Sequence, residues 1–205
     1  MNSQASLQKS GTGELSTARI CNRISCLLCL PTCTTMVWCH TANAHIIILS
    51  LLSLITPTII PHSTSLEKLD ISDNPRLTTL PDELRHLTRL QILFASQNPG
   101  MTKLPTILGQ LTSVTRLGWR SGTLTTLETT SLPPQLVHLI LTDNALTSLG
   151  DEAVYARLQH VRKLMLSHNH LRHLSSTGVA HWQNLELLRL AGNQLTAIPD
   201  GRWCT

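Results

Sequence analysis

Aromatic side chains are scarce in this chain: one Phe, one Tyr and four Trp in 205 residues. That excludes an aromatic platform on which unpaired bases stack. Charge is scarce too, at 14% of residues, with 16 basic against 12 acidic groups. A long solvated or acidic disordered chain needs more. The formal net charge of +4 is mild and scattered, so nucleic acid is not an expected partner. Cysteine is missing from residues 40–203; the six thiols are Cys21, Cys26, Cys29, Cys33, Cys39 and Cys204. No disulfide can staple the interior of the latter part of the chain, and extracellular domains of this kind more often use such staples. A reducing, cytoplasmic setting is expected for it.

Leucine, by contrast, recurs with a pattern. From Leu66 onward the chain nearly copies itself. The first unit runs Leu66-Glu-Lys-Leu69-Asp-Ile71-Ser-Asp-Asn74, then Leu77 and Leu80-Pro81. Units follow from Leu90, Val114, Leu136, Val161 and Leu185, and five of the six carry Asn at their ninth position: Asn74, Asn98, Asn144, Asn169 and Asn193. Side chains alternate along a strand, so positions 4 and 6 of each unit point the same way. One unit cannot bury that row alone, whereas stacked units bury it as a continuous column. The ninth-position amide both donates and accepts, and so can satisfy backbone groups that the stack buries. The third unit departs from the pattern, with Trp119 at position 6 and Gly122 in place of Asn. A broken ladder and a distorted turn are expected there.

These motifs resemble the leucine-rich repeat family, whose LxxLxLxxNxLxxLP template covers residues 66 to about 200. The resemblance implies an α/β solenoid of about six repeats: a curved parallel sheet on the concave face, with short helices, 3₁₀ turns and loops on the convex face. The segments Leu90 to Asn98, Thr115 to Leu124 and Leu132-Pro-Pro-Gln-Leu-Val-His-Leu-Ile-Leu-Thr-Asp-Asn144 are similar to the repeats ahead of the kinase domain in bacterial and plant leucine-rich-repeat protein kinases. The kinase motifs themselves do not occur in this sequence. The resemblance therefore implies a recognition module apart from its enzyme. The alternative is a regulatory fragment of such a kinase. The sixth unit ends without an evident cap, which implies truncation, or a partner or dimer over that end.

Return segments differ between units. Pro81-Asp-Glu-Leu84 and Pro105-Thr-Ile-Leu108 read as short helical or 3₁₀ turns opened by Pro. Residues 150–160 and 175–183 read as helices, and Pro133-Pro134 excludes one.

Residues 1–45 are expected to form a poorly ordered leader and residues 201–205 a short tail. Residues 46–65 hold an apolar run, Ile46 to Ile60, broken by Pro57. It is short for a membrane span and lacks a basic segment and a clean cleavage site for a secretory signal. The offsets of Pro57, Ile60 and Leu66 match those of Pro81, Leu84 and Leu90, which favours a degenerate leading repeat. A membrane-anchored or secreted receptor fragment is the alternative. Cys26, Cys29, Cys33, Cys39, His40 and His45 offer zinc-binding atoms without the spacing of a zinc knuckle, so free thiols are favoured. His168, His170 and His173 read as solvated turn residues.

Positions 3, 5, 7 and 8 of each unit point away from the leucine column. At these positions Ile92, Phe94, Ile140, Met165 and Leu187 form a broken apolar stripe, and Arg116, Arg120, His138, Lys163 and Arg189 flank it. An exposed apolar patch with a charged margin suits a protein or peptide partner. No nucleophile–base set, carboxylate pair or phosphate loop converges, and no cofactor or metal is called for. A non-catalytic interaction module is the expected function.

Overall fold

The computed structural model describes residues 46–48 and 65–199. The expected leader (residues 1–45, with its cysteines), residues 49–64 of the apolar segment, and the tail lie outside the described residues.

Among the described residues, seven three-residue strands form one parallel sheet in chain order. They are β1 (Ile46–Ile48), β2 (Lys68–Asp70), β3 (Ile92–Phe94), β4 (Arg116–Gly118), β5 (His138–Ile140), β6 (Lys163–Met165) and β7 (Leu187–Arg189). From β2 onward, every strand occupies positions 3–5 of its repeat. Position pairs with like position throughout, as in Leu69↔Leu93, Leu93↔Leu117 and Leu139↔Leu164. β1 joins the same ladder, with Ile46 opposite Lys68.

Three residues make a short strand, and what fixes it is the column behind it. Leu69, Leu93, Leu117, Leu139 and Leu164 at position 4 are buried, as are Ile71, Ala95, Trp119, Leu141 and Leu166 at position 6. Each strand exit is tied to the next by a position-6 amide donating to the following unit's position-5 carbonyl, from Ile71 N to Phe94 O and on to Leu166 N to Arg189 O, each at 2.8 Å. The sixth unit is looser: Leu185, Leu188, Leu190 and Leu195 are only partly buried, because no described strand lies beyond β7.

The ninth-position asparagines form the expected ladder. Asn169 Nδ2 donates to Leu166 O at 3.0 Å and to Leu141 O of the preceding unit at 2.9 Å, while its Oδ1 accepts from Leu146 N at 3.1 Å. Asn144 and Asn193 repeat the arrangement. The distorted third turn does not occur. Position 8 is left-handed in every unit, through Asp73, Gln97, Ser121, Asp143, His168 and Gly192. Ser121 N still donates across the stack to Thr142 O at 3.0 Å. The two departures of this unit lie side by side. The buried Trp119 indole lies beside Gly122: a Cβ there would sit 3.6 Å from Trp119 Cδ1. The ring occupies room next to the missing asparagine, and Thr123 Oγ1 donates to Pro99 O at 2.9 Å.

The returns follow the sequence reading. Asp82–His86 and Thr106–Gln110 are 3₁₀ turns, with Pro81 and Pro105 one residue before the first helical position rather than at it. Thr129–Ser131 is a 3₁₀ turn that stops before the two prolines. α1 (Glu152–Arg157) is capped by Asp151, whose carboxylate accepts from Val154 N at 3.2 Å. α2 (Ser176–Val179) is capped by Ser175 Oγ, which accepts from Gly178 N at 3.0 Å. Tyr155 of α1 stacks on Trp182 with ring centroids 5.1 Å apart. Among the described residues, no helix is long and apolar enough to cross a membrane.

Candidate functional site

The strand face opposite the leucine column is built by period alone. Position 4 is buried, so positions 3 and 5 must emerge on the other side. The nine expected residues at these positions do so, and Arg120 stands at position 7, just past β4. Arg116, Arg120 and Arg189 are exposed, while Ile92, Phe94, His138, Ile140, Lys163, Met165 and Leu187 are half-buried. None is enclosed in the column.

The parallel register sorts the central part of this face into columns. Position 3 reads Arg116, His138, Lys163 across β4, β5 and β6. Position 5 reads Gly118, Ile140, Met165. Position 7, just past the strands, reads Arg120, Thr142, Ser167. A basic row, an aliphatic row and a hydroxyl-rich row thus lie side by side. Ile92 and Phe94 extend the apolar area over β3, and Leu187 and Arg189 close it on β7.

Two contacts lay beyond the sequence pattern. The apolar stripe is interrupted in the sequence at Gly118, but the Phe94 ring leans into that gap. A Cβ at Gly118 would come 2.5 Å from Phe94 Cδ1. Lys68 Nζ lies 5.4 Å from the centroid of the same ring, within cation–π range. Phe94 is therefore held between a cation on β2 and a glycine on β4. The signal was present in part, since the 24-residue spacing aligns Asp70, Phe94 and Gly118 across β2–β4. Which way the ring turns is not written in a period.

Charge is unevenly compensated. At position 2, Arg162 pairs with Glu186, its Nε 2.7 Å from Oε1. Arg116 and Lys163 have no ion-pair partner among the described residues. His138 lies between them. Burial first, then the charges of Arg116, Lys163 and Arg162, hold its imidazole below the ordinary 6.5, with Glu186 pulling the other way.

His168, His170 and His173 are all exposed, on the turns and the loop that follow β6. Among the described residues, no three metal-binding side chains converge.

Known proteins share this architecture. Two models of the leucine-rich repeat match, over residues 65–87 and 134–195. Six units in register on one parallel sheet agree with these matches, and the chain is similar to leucine-rich repeat proteins over its repeat block. A curated relative, the Arabidopsis thaliana homologue of protein phosphatase 1 regulatory inhibitor subunit PPP1R7, is 36% identical over 80 residues, 38% of this chain. This chain spans about a quarter of that relative, 24% of its length. A leucine-rich repeat protein of Leptospira interrogans superposes with a TM-score of 0.54 at 25% identity, over 73% of this chain and 43% of the other. TLR13, solved as a complex with the single-stranded RNA ssRNA13, gives a TM-score of 0.64 at 28% identity, over 73% of this chain and 21% of the other.

Proposed function

We propose that the repeat domain is a non-catalytic interaction module that holds a protein or peptide on the concave face of its sheet. One observation carries the reading: Phe94, Ile140 and Met165 form a half-exposed apolar strip on the face turned away from the core, with Arg116, Arg120, Lys163 and Arg189 at its margins. Water would favour polar side chains at such positions. Contiguous apolar groups there, rimmed by charge, have the composition of an interface. The complementary surface is apolar with acidic edges.

The curated relative supports the reading, because its name is that of a regulatory subunit rather than of an enzyme. The TLR13 complex bears on one expectation directly. It shows that a fold of this kind does not by itself exclude RNA. A protein partner is preferred here on composition: the face offers one aromatic residue, and the whole chain only one Phe and one Tyr. The cysteine-free repeat block favours a cytoplasmic setting.

The test exchanges Phe94, Ile140 and Met165 for Ser together. A control exchanges Arg85, Gln110 and Thr130, exposed residues of the return segments. The first set should remove proteins that the native chain retains in affinity capture and leave the far-ultraviolet circular dichroism unchanged. The control set should remove none. Identical capture by the native chain and the first variant refutes the site.

A further inference from the structure

Three basic side chains stand in one row with no carboxylate between them. Arg116, His138 and Lys163 are direct neighbours in the parallel register, and like charges placed opposite each other on a sheet destabilise it. Strand spacing of about 4.8 Å makes the row about 10 Å long. The groups that face His138 from its neighbours are Arg116 on β4, Lys163 on β6, Arg162 just before β6 and Glu186 just before β7. Glu186 is already engaged by Arg162. The local balance is positive, and it becomes more so whenever His138 takes a proton.

We infer that Arg116, His138 and Lys163 form a subsite for the acidic side chains of an extended peptide segment, and that filling it is coupled to protonation of His138. The inference rests on the concave-face reading above and names the partner chemistry and the regulation of that face. Same-side residues of an extended segment repeat about every 7 Å, so two carboxylates fit within the row. Arg and Lys supply the fixed charge, and the position-5 row of Gly118, Ile140 and Met165 supplies the apolar floor alongside. A carboxylate beside an imidazole favours its charged form. The complex therefore carries more protons than the free protein, and affinity rises as pH falls through the bound-state titration of His138. Carboxylates lose their charge near pH 4.3, so the window lies above about pH 5.

The experiment follows the imidazole C–H resonances of the full chain by NMR across pH 5 to 8. Assignment uses His138→Gln. The probe is a five-residue peptide alternating Glu and Ser, with its Gln/Ser counterpart as the neutral control. In the free protein, His138 titrates below its ordinary range. Saturating Glu/Ser peptide should raise its midpoint by about half a pH unit or more, and the Gln/Ser peptide should leave it in place. The double variant Arg116→Gln/Lys163→Gln should abolish the response. Affinity for the Glu/Ser peptide should rise on acidification, by up to about tenfold per pH unit for one proton taken up. An unmoved His138 midpoint overturns the inference. So does an equal shift at the exposed His168, His170 and His173, which would mark general screening. Loss of capture by the Ser variants with an unmoved His138 sinks this subsite alone. A shifted His138 with unchanged capture sinks the apolar strip as the anchor of the partner and leaves this subsite standing.

Discussion

Trp119 and Gly122 test whether the third repeat is a damaged copy or a coupled solution. Elsewhere position 6 carries an aliphatic residue and position 9 an asparagine, as in Leu141/Asn144 and Leu166/Asn169. Trp119→Leu alone removes a fully buried indole. A truncation of that size costs about 2–3 kcal/mol in lost burial and cavity. Part is returned, because Trp119 Nε1 is buried without a partner, and an orphan donor costs about 1–3 kcal/mol. The net loss is about 1 kcal/mol. Gly122→Asn alone is worse: its Cβ would stand 2.8 Å from Asn144 Oδ1, and the indole, 3.6 Å from that Cβ at Cδ1, limits where the added amide can go, an overpacking cost of about 1–3 kcal/mol. In the double variant the indole is gone, and the new asparagine can donate to the position-6 carbonyls, at about 1 kcal/mol for each bond made. The approach to Asn144 Oδ1 persists, so a favourable coupling of about 1 kcal/mol is expected between the two sites. Urea unfolding of the native chain, both single variants and the double variant, followed by circular dichroism, measures it. A double variant whose loss equals the sum of the two single losses refutes the compensation argument.

Two further outcomes follow from the ladder and the convex side. Asn169→Ala strips bonds from Leu146 N, Leu141 O and Leu166 O, all within the stack. At about 1 kcal/mol each this is about 3 kcal/mol, or about 10 °C in the thermal midpoint. Asn193→Ala should cost clearly less by the same melting assay, because Asn193 is only half-buried. Tyr155 is the single tyrosine of the chain, and burial raises its phenol above the ordinary 10, with the Ser175 amide opposing and Glu152 reinforcing. The unfolded chain then ionises first, so the native state loses stability as pH rises above 10. Tyr155→Phe should flatten that alkaline fall in urea midpoints taken from pH 9 to 11, and phenolate absorbance of the native protein should titrate above 10.

The architecture was legible because it depends on period. Burying Leu69, Leu93 and Leu117 in one column fixes the strand positions, their parallel order and their register together. The same logic put all ten candidate residues on the outward face. Period says nothing about pairs that differ between units. The Phe94 ring over Gly118 depends on one side chain reaching into its neighbour's vacancy. The pairing of Arg162 with Glu186, which leaves Arg116 and Lys163 uncompensated, depends on two position-2 residues meeting across a strand gap.

The third turn shows why the expectation of distortion failed. That expectation treated Asn as the cause of the turn. Yet Ser121 adopts the same left-handed conformation as Asp143 and His168 with Gly122 beside it. What the turns share is the bonding of each unit to the next: Gln97 N to Arg120 O, Ser121 N to Thr142 O and Asp143 N to Ser167 O. Stacking therefore sets the turn, and the asparagine satisfies groups that stacking has already buried. In a solenoid each unit is held by two neighbours, so a unit can lose its signature residue while its backbone keeps the family geometry. The same tolerance frees positions 3, 5 and 7, which contribute nothing to the column, to diverge from unit to unit. The row Arg116–His138–Lys163 stands at such positions. Arg116 and Lys163 are fixed charges there, and they flank an imidazole held below its ordinary range, so each added proton on the row meets repulsion. The proposed acidic segment would relieve that repulsion by bringing carboxylates to the row.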